Sequence, residues 1–338
     1  MKEELIISGR NIPNIDPYLH IWHWQIPIYL FLGGLAAGIL FFAALFTIRG
    51  KSEQWNTAVK ITPIFAPLAL VLGLFALFLD LKHKLYFWQL YTTIRLESPM
   101  SWGAWVLMLV SPISFVWVAS YLKEITPKIW TNSKIVNLLI KILIKPVENS
   151  EINWEWKWKF VRNFEKFIQN NRVGLAWITI VASVILGVYT GILLSAFNAR
   201  PLWNTSLLGI LFLTSGFSTA AALNMWLSKN PEERKLFSRF DIVLIIIELF
   251  LIVHMFMGFL ASTEVQIEAA NLFLGGEFTI SFWVFVVGIG LVIPLIIEIL
   301  ELKGFHVPVA IPAIMILIGG LIFRFVMVDA GQITRYLY

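Results

Sequence analysis

Residues Ile26–Ile48 read IPIYLFLGGLAAGILFFAALFTI, an unbroken stretch with no acidic or basic side chain. At a rise of 1.5 Å per residue a helix of this length is about 35 Å long, enough to cross the ~30 Å hydrocarbon layer of a bilayer. Within it, Gly34-Leu35-Ala36-Ala37-Gly38 sets two glycines four residues apart, with Gly33 beside them, so a second helix can approach closely. Seven more runs of similar length follow: Ile61–Leu79, Trp102–Leu122, Val173–Phe197, Pro201–Leu227, Ile242–Thr263, Phe278–Ile297 and Phe305–Phe323. The sixth carries Glu248 and His254, and the eighth continues through Arg324 to Asp329; the other six contain no acid or base. The pattern predicts an all-α polytopic membrane protein with eight transmembrane helices.

Composition supports this reading. Of 338 residues, 58% are hydrophobic and only 14% charged, too apolar for a soluble chain to cover its own surface. The 15 Trp and 27 Phe suit lipid and headgroup boundaries. Cysteine is absent, which removes disulfides, thiolate metal sites and Cys-ligated iron–sulfur clusters from this chain. Any redox chemistry must therefore use a bound small molecule or a partner subunit. The net charge of +5 points to basic loops at a membrane surface, not to nucleic acid.

The distribution of Lys and Arg gives an orientation. The N-terminal segment, the even-to-odd connections and the C-terminus hold 7, the odd-to-even connections hold 18, and Arg324 lies within a span. The positive-inside rule makes the second set cytoplasmic and predicts both termini extracytoplasmic. The chain divides into an N-terminal segment (1–25), helices 1–3 (26–123), a basic cytoplasmic loop (124–171) and helices 4–8 with a short tail (172–338). In the basic loop, Lys134, Asn137, Lys141 and Lys145 form a polar stripe among Ile and Leu residues. Trp154, Trp158, Val161, Phe164 and Ile168 form an apolar face farther on. Both are expected to be interfacial amphipathic helices resting on the lipid bilayer.

Ionisable side chains inside spans are costly and mark cavities, partners or proton paths. One end of the predicted bundle gathers His20, Trp22, His23, Asp80, His83, Ser98, Asn198, Arg200, Asn204, Asp329 and Gln332. The other gathers Asp241, Glu298 and Glu301, and Glu248, His254 and Arg324 fall between. Trp22, Trp24 and Trp102 read as an aromatic belt. Glu248 reads either as the ion-pair partner of Arg324 or as a relay member. His254 is six residues beyond Glu248, about 9 Å along the helix and rotated off its face. The five histidines do not provide two facing pairs for a haem stack, and no H-E-x-x-H spacing exists, so neither haem nor metal is expected. The outer cluster suits a quinone: His and Tyr donors for the ring oxygens, an apolar opening for the tail, and histidines that exchange protons near neutral pH. His20 and His23 stand one turn apart if helix 1 begins early, and Tyr189 lies about two turns below Asn198.

The chain resembles the NrfD/PsrC-type membrane subunits of polysulfide reductase and related quinone-linked oxidoreductases. The motifs are Pro27-Ile28-Tyr29-Leu30-Phe31-Leu32-Gly33-Gly34 in helix 1, Leu79-Asp80-Leu81 after helix 2, and Glu97-Ser98-Pro99-Met100-Ser101-Trp102-Gly103-Ala104-Trp105 opening helix 3. Tyr189-Thr190-Gly191, Asn198-Ala199-Arg200-Pro201-Leu202-Trp203-Asn204, Gly319-Gly320 with Arg324, and Ala330-Gly331-Gln332 follow in order. The long basic loop between helices 3 and 4 departs from the pattern. The resemblance implies two four-helix bundles and menaquinone or ubiquinone near the extracytoplasmic face. It also implies a ferredoxin-like [4Fe–4S] partner and, beyond it, a molybdopterin or multihaem catalytic subunit, in a bacterial or archaeal cytoplasmic membrane. Carried onto this chain, it places quinone among His23, His20 and Tyr189, where His20 replaces a more usual Asn.

The expected function is therefore a quinone-binding anchor of a respiratory oxidoreductase. His20, His23, Tyr189, Asp80, Arg200 and Ser98 would form the quinone site, and Glu248, His254, Arg324, Asp329, Asp241 and Glu298 a proton path. A secondary transporter and a purely structural anchor are the alternatives, and the terminal substrate is set in another subunit.

Overall fold

The computed structural model describes residues 22–127, 144–147, 152, 154–305 and 307–335. Eight helices are long and apolar enough to cross a bilayer: span 1 (Gln25–Ile48), span 2 (Thr57–Asp80), span 3 (Pro99–Ile125) and span 4 (Arg172–Ser195), then span 5 (Leu207–Leu227), span 6 (Pro231–Leu260), span 7 (Ile280–Leu302) and span 8 (Ala310–Ile333). Spans 1–4 pack as one four-helix bundle and spans 5–8 as a second. Span 1 belongs to both interfaces, since it also lies against spans 5 and 8. Its glycines make this possible: a Cβ on Gly216 of span 5 would come within 2.7 Å of the Gly34 carbonyl oxygen. The backbones touch there, which substitutes for the hydrophobic drive that lipid-embedded helices lack.

Outside the central span 1, the spans turn large apolar side chains toward lipid. On span 6, Val243, Ile246, Ile247, Phe250, Val253 and Met257 are exposed at three- and four-residue spacing, while Asp241, Ile245, Glu248, Ile252 and Met255 are buried. This is the reverse of a water-soluble bundle, as expected where the solvent is hydrocarbon. The beginning of span 1 and the end of span 8 meet. Gln332 accepts from the Trp22 N–H at 2.8 Å through Oε1 and donates from Nε2 to the Trp22 carbonyl at 2.9 Å. The end of the molecule containing this contact is called the His23 face, and the opposite end the Lys60 face.

The Lys60 face is tied by charge. Lys60 pairs with Glu53 and Glu124 at 2.7 Å each, and Arg172 pairs with Glu124 at 2.6 Å while lying over the Tyr121 ring. Spans 2, 3 and 4 are thereby joined. Glu233 of span 6 accepts from the Ala58 N–H at 2.9 Å and from the Ser228 hydroxyl at 2.7 Å, linking the second bundle to the start of span 2.

Several boundaries differ from the sequence reading. Span 5 starts at Leu207 because Arg200–Asn204 forms a turn, closed by Trp203 N–H to Arg200 O at 3.1 Å and Asn204 N–H to Arg200 O at 3.0 Å. Span 6 begins eleven residues early, at Pro231, where the Asn230 side chain caps the Glu232 N–H at 3.0 Å and proline takes a first-turn position that needs no N–H. Span 7 is wound as a π-helix over Ile280–Val292 before continuing as an α-helix, and span 8 runs on to Ile333. Trp154 is not on a helix: Trp154–Trp156 pairs antiparallel with Ile144–Pro146, and the amphipathic helix is Lys159–Asn170. On that helix Ile168 is buried and Glu165 pairs with Lys123 at 2.6 Å, whereas Phe160, Phe164 and Phe167 are exposed. The stripe expected over 134–145 lies largely outside the described residues. Trp24 and Trp102 are exposed as belt residues are, but Trp22 is buried against Trp203 and Phe197, with ring centroids 5.1 and 4.9 Å apart.

Candidate functional site

His23 sits two residues before span 1, on a backbone whose preceding residue Gln332 grips from both sides. Its Nδ1 is 3.7 Å from the Asp80 carboxylate at the end of span 2. The histidine side chain is 63% exposed and the aspartate 16%, so the pair faces the opening with the acid set back into the wall. An imidazole so placed can take a proton from a bound hydroxyl and pass it to water, with the carboxylate stabilising the charged ring.

Three tyrosines form a second group. Tyr189 of span 4 projects onto span 3, where a Cβ at Gly103 would overlap its hydroxyl, so only glycine leaves room for the phenol. Tyr29 of span 1 is buried, packs on Gly73 of span 2 and lies close enough to Tyr189 and Tyr91 for the phenols to interact. Burial raises the Tyr91 phenol above its ordinary value, which keeps it a hydrogen-bond donor at neutral pH. Ser98 precedes span 3 and lines a cavity of about 440 Å³ together with His83, Gln89 and Ser101. The segment leading to it is held by the Arg95 N–H donating to Ser101 Oγ at 3.2 Å and Trp102 Nε1 donating to Leu96 O at 2.9 Å.

Arg200 has a different place from the one expected. Its guanidinium donates to the carbonyls of Gln332 at 3.0 Å and Thr334 at 2.7 Å, capping the C-terminal end of span 8, where a cation is favoured. Asp329 is exposed on the same stretch of span 8. His20 lies outside the described residues.

The second polar group is sealed inside the molecule. Arg324 is completely buried; its Nη1 donates to Ser215 Oγ at 2.6 Å and to Gly320 O at 3.3 Å, and its Nη2 donates to Phe212 O at 3.1 Å. Glu248, also buried, interacts with the same Ser215 and feels the guanidinium charge, but the two make no ion pair within 4.0 Å among the described residues. One helical repeat away, about 10 Å along span 6, Asp241 accepts from Ser218 Oγ at 2.5 Å and meets the Glu298 carboxyl of span 7. Glu301 follows, within the field of Arg234 and Lys235 at the Lys60 face. His254 does not join this group. It is exposed on the lipid-facing side of span 6, where Nδ1 donates to Phe250 O at 2.9 Å and the ring lies against the Phe250 ring, because six residues of helix turn it away from Glu248.

The geometry thus brings together His23 with Asp80, and Asp241 with Glu298, and sets Glu248 and Arg324 about one serine. It adds Tyr29, Tyr91, Ser215 and Ser218. Gln332 belongs to the outer polar cluster read from the sequence, and its part there is to grip the backbone of Trp22. Among the described residues no group of three or more His, Asp or Glu side chains is placed to hold a metal.

Comparison with known proteins agrees over nearly the whole chain. The family described as Polysulphide reductase, NrfD, matches residues 14–335. Protein NrfD of Escherichia coli K12 is 30% identical over 93% of this chain and 96% of its own length. A component chain of the polysulfide reductase of Wolinella succinogenes is 28% identical over 92% and 94%. A subunit of the selenate reductase of Mesobacillus selenatarsenatis is 22% identical over 93% and 75%. An eight-span architecture and an end-to-end family match converge on one statement: this multi-pass membrane protein belongs to the NrfD polysulphide reductase family.

Proposed function

We propose that the chain is the quinol-binding membrane subunit of a respiratory reductase complex. The observation that carries this reading is the His23–Asp80 pair at 3.7 Å, with the imidazole 63% exposed and the carboxylate set back at the end of span 2. A quinol needs two hydrogen-bonding oxygen contacts, a proton exit to water and an apolar approach. His23 and Tyr189 hold the ring oxygens, Asp80 orients the imidazole, and Ser98 adds a hydroxyl at the rim. Menaquinol and ubiquinol both meet these demands. Quinol oxidation supplies two electrons and two protons; the protons leave through His23 to the solvent beyond the His23 face.

The electrons pass to a partner, because this chain has no cysteine to ligate a cluster. The charge distribution puts the His23 face and both termini outside the cytoplasm, so the partner docks there. Relatives named as parts of polysulfide and selenate reductases support a catalytic partner subunit; in this reading it is a molybdopterin or multihaem subunit reached through a ferredoxin-like [4Fe–4S] subunit. The series Glu301, Glu298, Asp241, Glu248 and Arg324 provides proton-exchanging groups from the Lys60 face to mid-membrane, and coupled proton movement would use it.

The test is His23→Ala in the assembled complex. Quinol oxidation is lost while thermal stability in detergent is retained. Unchanged turnover and quinol affinity in that variant would remove His23, and with it the site, from the reading.

A further inference from the structure

The helix Lys159–Asn170 is joined to span 4 by the single residue Asn171, whose φ of −113° and ψ of 25° lie outside the helical range. It therefore starts where span 4 leaves the membrane, and it turns off the axis of that span. Glu165 ties it to Lys123 at the end of span 3 at 2.6 Å, and Ile168 is buried. With that inner face fixed, the helical repeat divides the remaining surface into two unlike flanks. Phe160, Phe164 and Phe167 lie about 100–160° round from Glu165 in one sense, and Lys159 and Lys166 about 100–120° round in the other. Both flanks are exposed, Phe160 to 79%, and the Phe160 and Phe164 rings stack with centroids 6.3 Å apart. Beyond Asn171 the exposed apolar surface continues onto span 4 through Val173 and Trp177.

The carboxylates around this helix are already matched. Glu155 meets Lys145 at 3.2 Å and Arg162 at 3.4 Å, Glu165 meets Lys123, and Glu124 meets Lys60 and Arg172. Lys157, Lys159 and Lys166 are exposed and enter no ion pair among the described residues. We propose that the helix is a binding surface for anionic phospholipid in the leaflet at the Lys60 face: the phenylalanine flank lies among acyl chains, and Lys157, Lys159 and Lys166 meet the negatively charged headgroups. A helix with an apolar and a basic flank lies in the plane of the interface, and each cation near an anionic surface strengthens its hold. This surface differs from the apolar face read in the sequence, whose Trp154 and Ile168 are buried. Lipid suits it better than a protein partner. At about 150–250 Å² for a whole aromatic side chain, three part-exposed phenylalanines offer less than the ~800 Å² that one side of a stable protein interface requires.

The experiment places the full chain in nanodiscs of phosphatidylcholine and phosphatidylglycerol in equal amounts and measures which lipid stays with the protein on mild detergent extraction. The wild type retains phosphatidylglycerol over phosphatidylcholine by about fivefold, which corresponds to about 1 kcal/mol. The triple variant Lys157→Gln, Lys159→Gln, Lys166→Gln brings the ratio close to one. Lys51→Gln, Lys229→Gln, Lys303→Gln makes the same charge change at exposed lysines elsewhere on the Lys60 face and leaves the preference in place. No preference in the wild type, an unchanged preference in the first variant, or equal losses in both overturns the proposal. Because the chain has no cysteine, Phe160→Cys accepts a single nitroxide label. Its signal is relaxed by oxygen more than by a water-soluble nickel chelate; the reverse order overturns the lipid placement and makes a soluble protein the occupant. Neither readout involves quinol, so the result stands apart from the site at the His23 face.

Discussion

The mouth around His23 and the junction around Arg324 hold polar groups in opposite ways. At the mouth the charged groups stand at helix ends: His23 is 63% exposed and meets Asp80 at 3.7 Å, beyond hydrogen-bonding distance. At the junction a guanidinium with no exposed surface directs its Nη donors to a hydroxyl and two backbone carbonyls between spans 5 and 8, while its Nε has no hydrogen-bond partner. Unfilled polar capacity is inexpensive at a wet surface and costly in hydrocarbon. The mouth can therefore be altered without unfolding the protein, and the junction cannot.

The largest consequence for stability follows for Arg324→Leu. It leaves Ser215 and the Glu248 carboxyl without their cation and should cost about 3 kcal/mol, read as a lower unfolding temperature in detergent. Adding Glu248→Gln should recover part of that loss; no recovery would mean that the two side chains are energetically independent. Gly103→Ala comes next, at about 1–3 kcal/mol, since the methyl group must displace the Tyr189 phenol. It tests whether mouth and core are separable, because it should also raise the quinol KM more than an equally destabilising change elsewhere. His23→Ala should change stability by less than about 0.5 kcal/mol although activity disappears. His254→Phe should be smallest on both scales, because the ring already lies on lipid against Phe250. A turnover defect in this variant would show that His254 serves the proton path after all.

Much of the fold was legible because hydrocarbon imposes a simple rule: a span must be long and nearly uncharged. The rule located all eight helices but misjudged their ends. Pro201–Asn204 was absorbed into span 5 because Leu202 and Trp203 are apolar, yet they are buried in a turn. The first turns of span 6 were lost because Glu232, Glu233, Arg234 and Lys235 fail any apolar window, although Asn230-Pro231 marks a helix start.

Site residues were legible where one helix carries them and obscure where two helices meet. The approach of His23 to Asp80, or of Tyr189 to Gly103, depends on how spans 1 and 2, or 3 and 4, are aligned along their axes. Spacing within a sequence does not encode that alignment. The two serines were hidden for another reason. On a helix rich in Gly and Ala, a hydroxyl looks like one more small residue until a carboxyl or guanidinium on a neighbour is seen to need it.

The clasp between Gln332 and Trp22 joins residues 310 positions apart. During synthesis the first bundle can insert and pack long before span 8 leaves the ribosome, but the segment just ahead of span 1 must wait. Its two backbone groups find their partner only after the final helix has crossed the membrane. The mouth of the site is thus the last part of the molecule to set. A polypeptide interrupted before span 8 would have its first bundle and its histidine, but no fixed mouth around it.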